Sequence, residues 1–271
     1  MTDFTPGLFR DLPSATYHTI EAMSASGTKK MLRSPQHYVL ARTQPSKPSA
    51  AMEFGTAVHA GVLEPDTFNE AVVVAPEINK RTAAGKAEAE AFAAAHAGKV
   101  VLSPDDWERC AQTIAAVRKH PAAAQLLDGG ERELSLFWRD GKYNVPCKSR
   151  FDAFNHNVVI DLKTCQDASP ETFARTIAQY LYHLQAAFYF SGAEHVLNAT
   201  PAAFAFIAVE TEPPFAVACY VLPANGILAG AHLANIALER YAAALASGEW
   251  PGYSETIEVI KLPKWATTFN V

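Results

Sequence analysis

Cysteine is scarce in this chain: four in 271 residues, at positions 110, 147, 165 and 219, with no C-x-x-C spacing. That scatter argues against a zinc knuckle, an iron–sulfur cluster or a disulfide framework, and the thiols are expected to be reduced and structural. No segment approaches the roughly 20 consecutive apolar residues of a membrane span. The first residues also lack the basic stretch followed by an apolar run that marks a secretory leader. The expectation is a cytoplasmic protein without membrane contact. No repeat or low-complexity tract interrupts the chain, which sets aside solenoids and disordered linkers. Excess positive charge is missing too. A formal net charge of -5 argues against a protein that coats nucleic acid by bulk attraction. It does not exclude an enzyme that confines its cations to a channel and gathers acids around a metal.

What is present is apolar material for a sizeable core, 49% of the residues, and an ordered set of elements. Residues 1–23 read as an extended lead-in with Pro6 and Pro13. Ser24 or Ser26 is placed to cap a helix through Lys29 to Leu32, with Pro35 either ending it or starting the next. Phe54 to Leu63 reads as a short apolar helix, Val72 to Val74 as a strand, and alanine-rich Ala83 to His96 as a helix. Ser103 caps a helix that begins at Pro104 and reaches Lys119. Glu133 to Trp138, Val145 to Phe154 and Val158 to Thr164 form an antiparallel meander. One helix from Pro170 to about Ser191 follows, then strands at Ala203 to Glu210 and Ala216 to Leu222 and a helix from about Ile227 to Ser247. This order predicts an α/β (α+β) fold: a mixed central sheet with an antiparallel meander, flanked by helices, and not a regular parallel α/β repeat.

The meander carries the chemistry. RFDAF at 150–154 and VIDLKT at 159–164 read as two strands of one hairpin. Asp161 and Lys163 are two apart and project from the same face. A turn at His156-Asn157 pairs Asn155 with Val158 and sets Asp152 opposite Asp161. Facing carboxylates about 4.5–5.5 Å apart repel unless something neutralises them. A divalent cation is the natural candidate, since hard cations take carboxylate oxygens and keep waters suited to phosphate-ester hydrolysis. Val158, Val159 and Ile160 make the strand apolar, so its charges belong at a core edge. Lys148 and Arg150 share the face of Asp152 by alternation and make a phosphate track, although a charged solvent face alternates in the same way.

Other residues join this set by spacing. His59 follows Gly55 by one helical turn in GTAVHAGVLEP, so a close backbone approach at the glycine would aim the histidine at whatever lies near, although a lone histidine in an apolar helix is more often a hydrogen-bonded core residue. Gln185 and Tyr189 are likewise one turn apart. Ser24, Ser26, Lys29 and Arg33 combine a helix N-terminus with cations, which makes either a ready phosphate site or an ordinary capped surface helix. Lys80, Arg81 and Lys86, in NKRTAAGKAE, add a further basic group.

A G-x-x-x-H helix, an Asp-bearing strand, a D-x-K strand and a Q-x-x-x-Y helix, in that order, resemble the RecB-type branch of the PD-(D/E)XK nuclease superfamily. The segments SASGTKKMLRSPQHY, FGTAVHAGVLEP, INKRTAAGKAE, ELSLFW, CKSRFDAF, DLKTCQDASPETF, YHLQAAFY and GEWPGY together resemble the RecE-like (exonuclease VIII) nucleases and their phage homologues. The resemblance implies a restriction-endonuclease-like core over residues 54–271, with 1–53 as an N-terminal lead-in contacting DNA ends, in one nuclease domain. It implies a Mg²⁺-dependent exonuclease that digests one strand of linear duplex DNA from the 5′ end and leaves a 3′ overhang for a RecT-like single-strand annealing protein. A ring-shaped homo-oligomer around DNA is implied as well. Carried over by position, His59, Asp152 and Asp161 are metal ligands, with the Leu162 carbonyl as a further one. Lys163 orients or activates the attacking water, and Gln185 and Tyr189 support the site. Glu133, at the start of the first meander strand, is placed to reach the metal. A histidine ligand suits Mn²⁺ slightly better than Mg²⁺, so either metal is expected to serve. A structure-selective endonuclease or repair nuclease would share these motifs, and a DNA-end-binding scaffold on a decayed nuclease fold is the non-enzymatic alternative.

Overall fold

In a computed structural model of the protein, the described residues are 4–44, 48–79 and 81–263. The elements in chain order are β1 (Gly7–Phe9), α1 (Ser14–Thr19), α2 (Ala25–Arg33), α3 (Pro35–Thr43), α4 (Ala50–Leu63), α5 (Phe68–Ala71), β2 (Val72–Val74), α6 (Ala83–Ala95), β3 (Val100–Leu102), α7 (Pro104–Lys119), α8 (Pro121–Leu127), β4 (Glu131–Arg139), β5 (Pro146–Asn155), β6 (Val158–Cys165), α9 (Pro170–Gln179), α10 (Tyr182–Leu197), β7 (Ala203–Glu210), β8 (Val217–Val221) and α11 (Ala224–Ser247). Six strands form one sheet in the order β1-β4-β5-β6-β7-β8, and β2 with β3 forms a small parallel pair. All neighbours in the large sheet are antiparallel except β6 and β7. The mixed sheet flanked by helices therefore stands as expected.

The sheet separates two apolar layers. On one face, Phe151, Phe188, Phe204 and Phe206 pack with α2, α10 and α11. On the other, Ile160, Leu162, Ile207 and Val209 pack with Phe54 and Val58 of α4 and Ile114 and Val117 of α7. Along β6 the alternation leaves Ile160 and Leu162 on the α4 side and turns Val159, and with it Asp161 and Lys163, to the α10 side. His156 and Asn157 both take positive φ, the requirement of a tight type I′ hairpin turn, and the register pairs Asn155 with Val158.

Three expectations are corrected. The lead-in is not wholly extended: Gly7–Phe9 adds a strand to the sheet edge and Ser14–Thr19 is a helix. The helix expected over 170–191 is two helices, because Leu181 adopts the left-handed conformation at φ 53° between α9 and α10. Asp152 does not pair with Asp161 across the hairpin; the paired register stops at Ala153 and Ile160. Beyond it the strands part, and the Leu162 N–H donates to the Asp152 carboxylate at 2.8 Å. Among the described residues no helix is long and apolar enough to cross a membrane.

Candidate active site

Asp161 is the centre of the site. Its residue surface is wholly buried, and its carboxylate accepts from the Gln185 amide at 2.7 Å and pairs with the Lys163 ammonium. Burial raises its pKa, with Lys163 opposing and Asp152 adding to the shift. Burial works against the Lys163 ammonium, yet the carboxylates of Asp161 and Asp152 outweigh it and its pKa rises. The pair is therefore a salt bridge held out of water by the sheet and α10.

Two other elements complete one flank. Gly55 lets α4 approach β6: a Cβ there would lie 3.2 Å from Thr164 Oγ1. One turn on, His59 Nδ1 stands 3.5 Å from Asp152 Oδ2. Glu133 lies between the register pairs Arg132–Ala153 and Leu134–Phe151, which brings it opposite Asp152. It takes a positive φ of 48°, and Arg150 Nη1 is 3.7 Å from its carboxylate. Burial, followed by the charge of Asp152, pushes the Glu133 carboxyl up to about 8. Glu64, the residue capping the C-terminus of α4, adds to the same shift.

On the α10 flank, Lys29 and Lys163 both approach the Tyr182 ring, at 5.0 and 4.9 Å from its centroid. Burial, then repulsion from Lys163, brings Lys29 down to about 8. Lys29 thus belongs to the acid–lysine cluster as well as to the capped helix α2. Tyr189 lies one helical turn after Gln185, its ring tilted at 33° to that of Phe151 with centroids 5.1 Å apart; burial raises its pKa. Tyr182 was missed by the sequence reading. It lies three residues before Gln185 and seven before Tyr189, so the spacing of one helical face would have found it.

The remaining sequence candidates lie elsewhere. Lys148 and Arg150 do not form a phosphate track. The Lys148 amine donates to the Tyr17 and Ile20 carbonyls at 2.8 and 2.7 Å, and the Arg150 guanidinium donates to Ser135 Oγ and the Leu12 carbonyl. Both lie over the Tyr17 ring and hold α1 to β5. The segment from Leu12 to Ile20 covers both side chains. Ser24 caps α2 by accepting from Gly27 N–H and also bonds Ser26. Arg33 donates to the Tyr253 hydroxyl. Arg81 and Lys86 stand exposed at the start of α6, and Lys80 lies outside the described residues.

A family model described as a PDDEXK-like domain of unknown function, DUF3799, matches residues 24–263. The chain belongs to that family. A solved structure from Eubacterium rectale, of a protein named as a candidate exonuclease, is similar in fold. It has a TM-score of 0.63 and 14% identity, with 97% of this chain and all of that one covered. A phage-related exonuclease from Haemophilus somnus 129PT is more distantly similar, at a TM-score of 0.38 and 12% identity over 84% of this chain and 97% of that one. No curated protein matches the chain. The PD-(D/E)XK likeness drawn from the motifs therefore holds at the level of family and fold.

In this PDDEXK-like chain the donor types around the parted strands suit a hard cation. Asp152 and Glu133 face one another, Asp161 is buried, and Asp161 Oδ2 has only the Lys163 charge and no hydrogen bond. Among the described residues, no three His, Cys, Asp or Glu side chains converge closely enough to hold an ion as they stand. Instead the carboxylates of Asp152 and Asp161 are turned onto Leu162 N–H and onto Gln185 with Lys163.

Proposed function

We propose that the protein is a divalent-metal-dependent exonuclease that digests one strand of linear duplex DNA from the 5′ end and leaves a 3′ overhang. The observation that carries this reading is the buried Asp161–Lys163 pair, held by Gln185 at the point where the two hairpin strands separate beside Asp152 and His59. Such a cluster of opposed charges out of water is costly unless it has work to do. Asp152, Asp161 and His59 would hold Mg²⁺ or Mn²⁺, with the Leu162 carbonyl beside them. The ion would supply a water of lowered pKa and charge for the scissile phosphate. Lys163, paired with Asp161, would orient or activate the attacking water and stabilise negative charge on the reacting phosphate. Gln185 holds Asp161 in place from α10. Lys29, aimed at the same Tyr182 ring as Lys163, would supply a second cation for phosphate oxygens, and Ser24 and Ser26 at the start of α2 are proposed as further contacts to the DNA end.

Arg33, Arg81, Lys86 and Lys80 are proposed as outer DNA contacts. A RecT-like annealing protein is proposed as the user of the overhang. A ring-shaped homo-oligomer is proposed around the DNA; it would give a partner to Ile257, Val259, Ile260 and Leu262, which stand exposed in a C-terminal segment without regular structure.

The reading is tested with a linear duplex labelled separately at its 5′ and 3′ ends and with a closed circle of the same sequence. The 5′ label is released first in Mg²⁺, EDTA stops release, and the circle survives. Nicking of the circle, or earlier release of the 3′ label, would contradict the polarity and the exonuclease assignment.

A further inference from the structure

The break between α9 and α10 leaves an exposed ring beside the site. Leu181, with neither glycine's freedom nor a side chain that bonds its own backbone, sits at φ 53° and ψ 44°. A side chain other than glycine's is strained in this left-handed region, and such strain gathers where a particular geometry is used. Here the strain turns Tyr182 inward over the Lys29 and Lys163 ammoniums and leaves Tyr180 outside it. The two rings are stacked, with centroids 5.8 Å apart and planes 22° apart. Tyr180 is 55% exposed, and the only other large aromatic so exposed among the described residues is Tyr253, which is tied down by Arg33 and His37.

We propose that Tyr180 receives an unpaired base of the strand being cut. This rests on the nuclease reading above. The Lys29 and Lys163 ammoniums stand over the Tyr182 ring, where each can meet a phosphate oxygen, and an open aromatic face lies one stacked ring further out. Cations followed by a stacking ring are the chemistry of single-stranded nucleic acid. Inside a duplex the base faces are covered by their neighbours, so only a base released from its pair can use the Tyr180 face. The substrate at this subsite is therefore a frayed end: the phosphate lies toward Lys29 and Lys163, and the adjoining base lies on Tyr180.

The test uses linear duplex carrying 2-aminopurine as the terminal base, bound in EDTA, and the cleavage of the same DNA in Mg²⁺. Stacking quenches this fluorophore. The wild type and Tyr180→Phe keep the released base quenched on binding; with Tyr180→Ala it is left unstacked and its fluorescence rises, and kcat/KM falls about 10-fold, in the range of losing one base–aromatic stack. A Tyr180→Ala protein that keeps the base quenched and cuts as the wild type overturns the inference, as does a wild type that cuts but leaves the base unquenched, and both leave the nuclease reading intact. A wild type that cuts no DNA with Mg²⁺ or Mn²⁺ overturns the nuclease reading, and this inference with it.

Discussion

Asp161 and Lys163 are opposite charges on one strand face, and each makes the other tolerable where water is scarce. Removing one member leaves the other unpaired, so Lys163→Met is expected to destabilise the fold by about 3–5 kcal/mol, whereas replacing both residues by apolar ones of similar volume is close to neutral. Urea denaturation of the two variants checks this, and equal losses would show that the pair carries no such coupling. Lys148 makes a different prediction. Burial brings its pKa from 10.5 to about 8 in the folded chain. The unfolded chain therefore holds the extra proton between these values, and stability rises with pH across that window. Lys148→Met removes this rise. The wild-type Tm should gain on the variant between about pH 7 and pH 10, by about 2–4 °C for each kcal/mol recovered. A gap that does not change with pH would mean that the Lys148 proton is not linked to folding.

At the scale of elements, the hairpin was legible because its signals agree: alternation in RFDAF, an apolar run before Asp161 and two turn residues at 156–157 that take positive φ. The parting of its strands was not, since a side chain, Asp152, replaces a backbone acceptor there, and alternation describes only a regular ladder. The α9–α10 break was illegible for a related reason. Tyr180-Leu181 holds no glycine or proline, and the left-handed turn is imposed by packing. Short β1 and α1 escaped because a few residues show no period, yet they explain why Lys148 and Arg150 are covered. Asp152, Asp161, Lys163, His59 and Gln185 were legible by spacing, whereas Tyr182 and the approach of Lys29 to Lys163 depend on how α2 and α10 meet. The packing of α11 on α10 offers a test at this scale. A Cβ at Gly230 would run into the His183 carbonyl of α10. Gly230→Ala gains about 1 kcal/mol of helix propensity, but the backbone clash should outweigh it and leave a net loss of about 1–3 kcal/mol. Because Gln185 is two residues from His183, cleavage should slow as well. Thermal melts and rates measured together check both, and a more stable, fully active variant would contradict the crossing.

At the scale of the whole molecule, the fold gathers one site from five elements: Asp152 from β5, Asp161 and Lys163 from β6, His59 from α4, Lys29 from α2 and Gln185 from α10. The parallel β6–β7 step buries β6 on both faces, which is how a strand bearing two charges comes to lie inside the protein. The apolar residues at 257–262 point outward at this scale. A chain ending at residue 253 is expected to show a smaller assembly than the full chain by light scattering after gel filtration, and an unchanged mass would remove the segment from any role in assembly. The most direct measurement is release of nucleotides from linear duplex DNA by the wild type and Asp161→Asn side by side, each with and without Mg²⁺. The wild type should release them only with the ion, and Asp161→Asn should lose at least about 10²-fold in rate while its thermal melt stays cooperative. Digestion at the wild-type rate by Asp161→Asn would contradict the account.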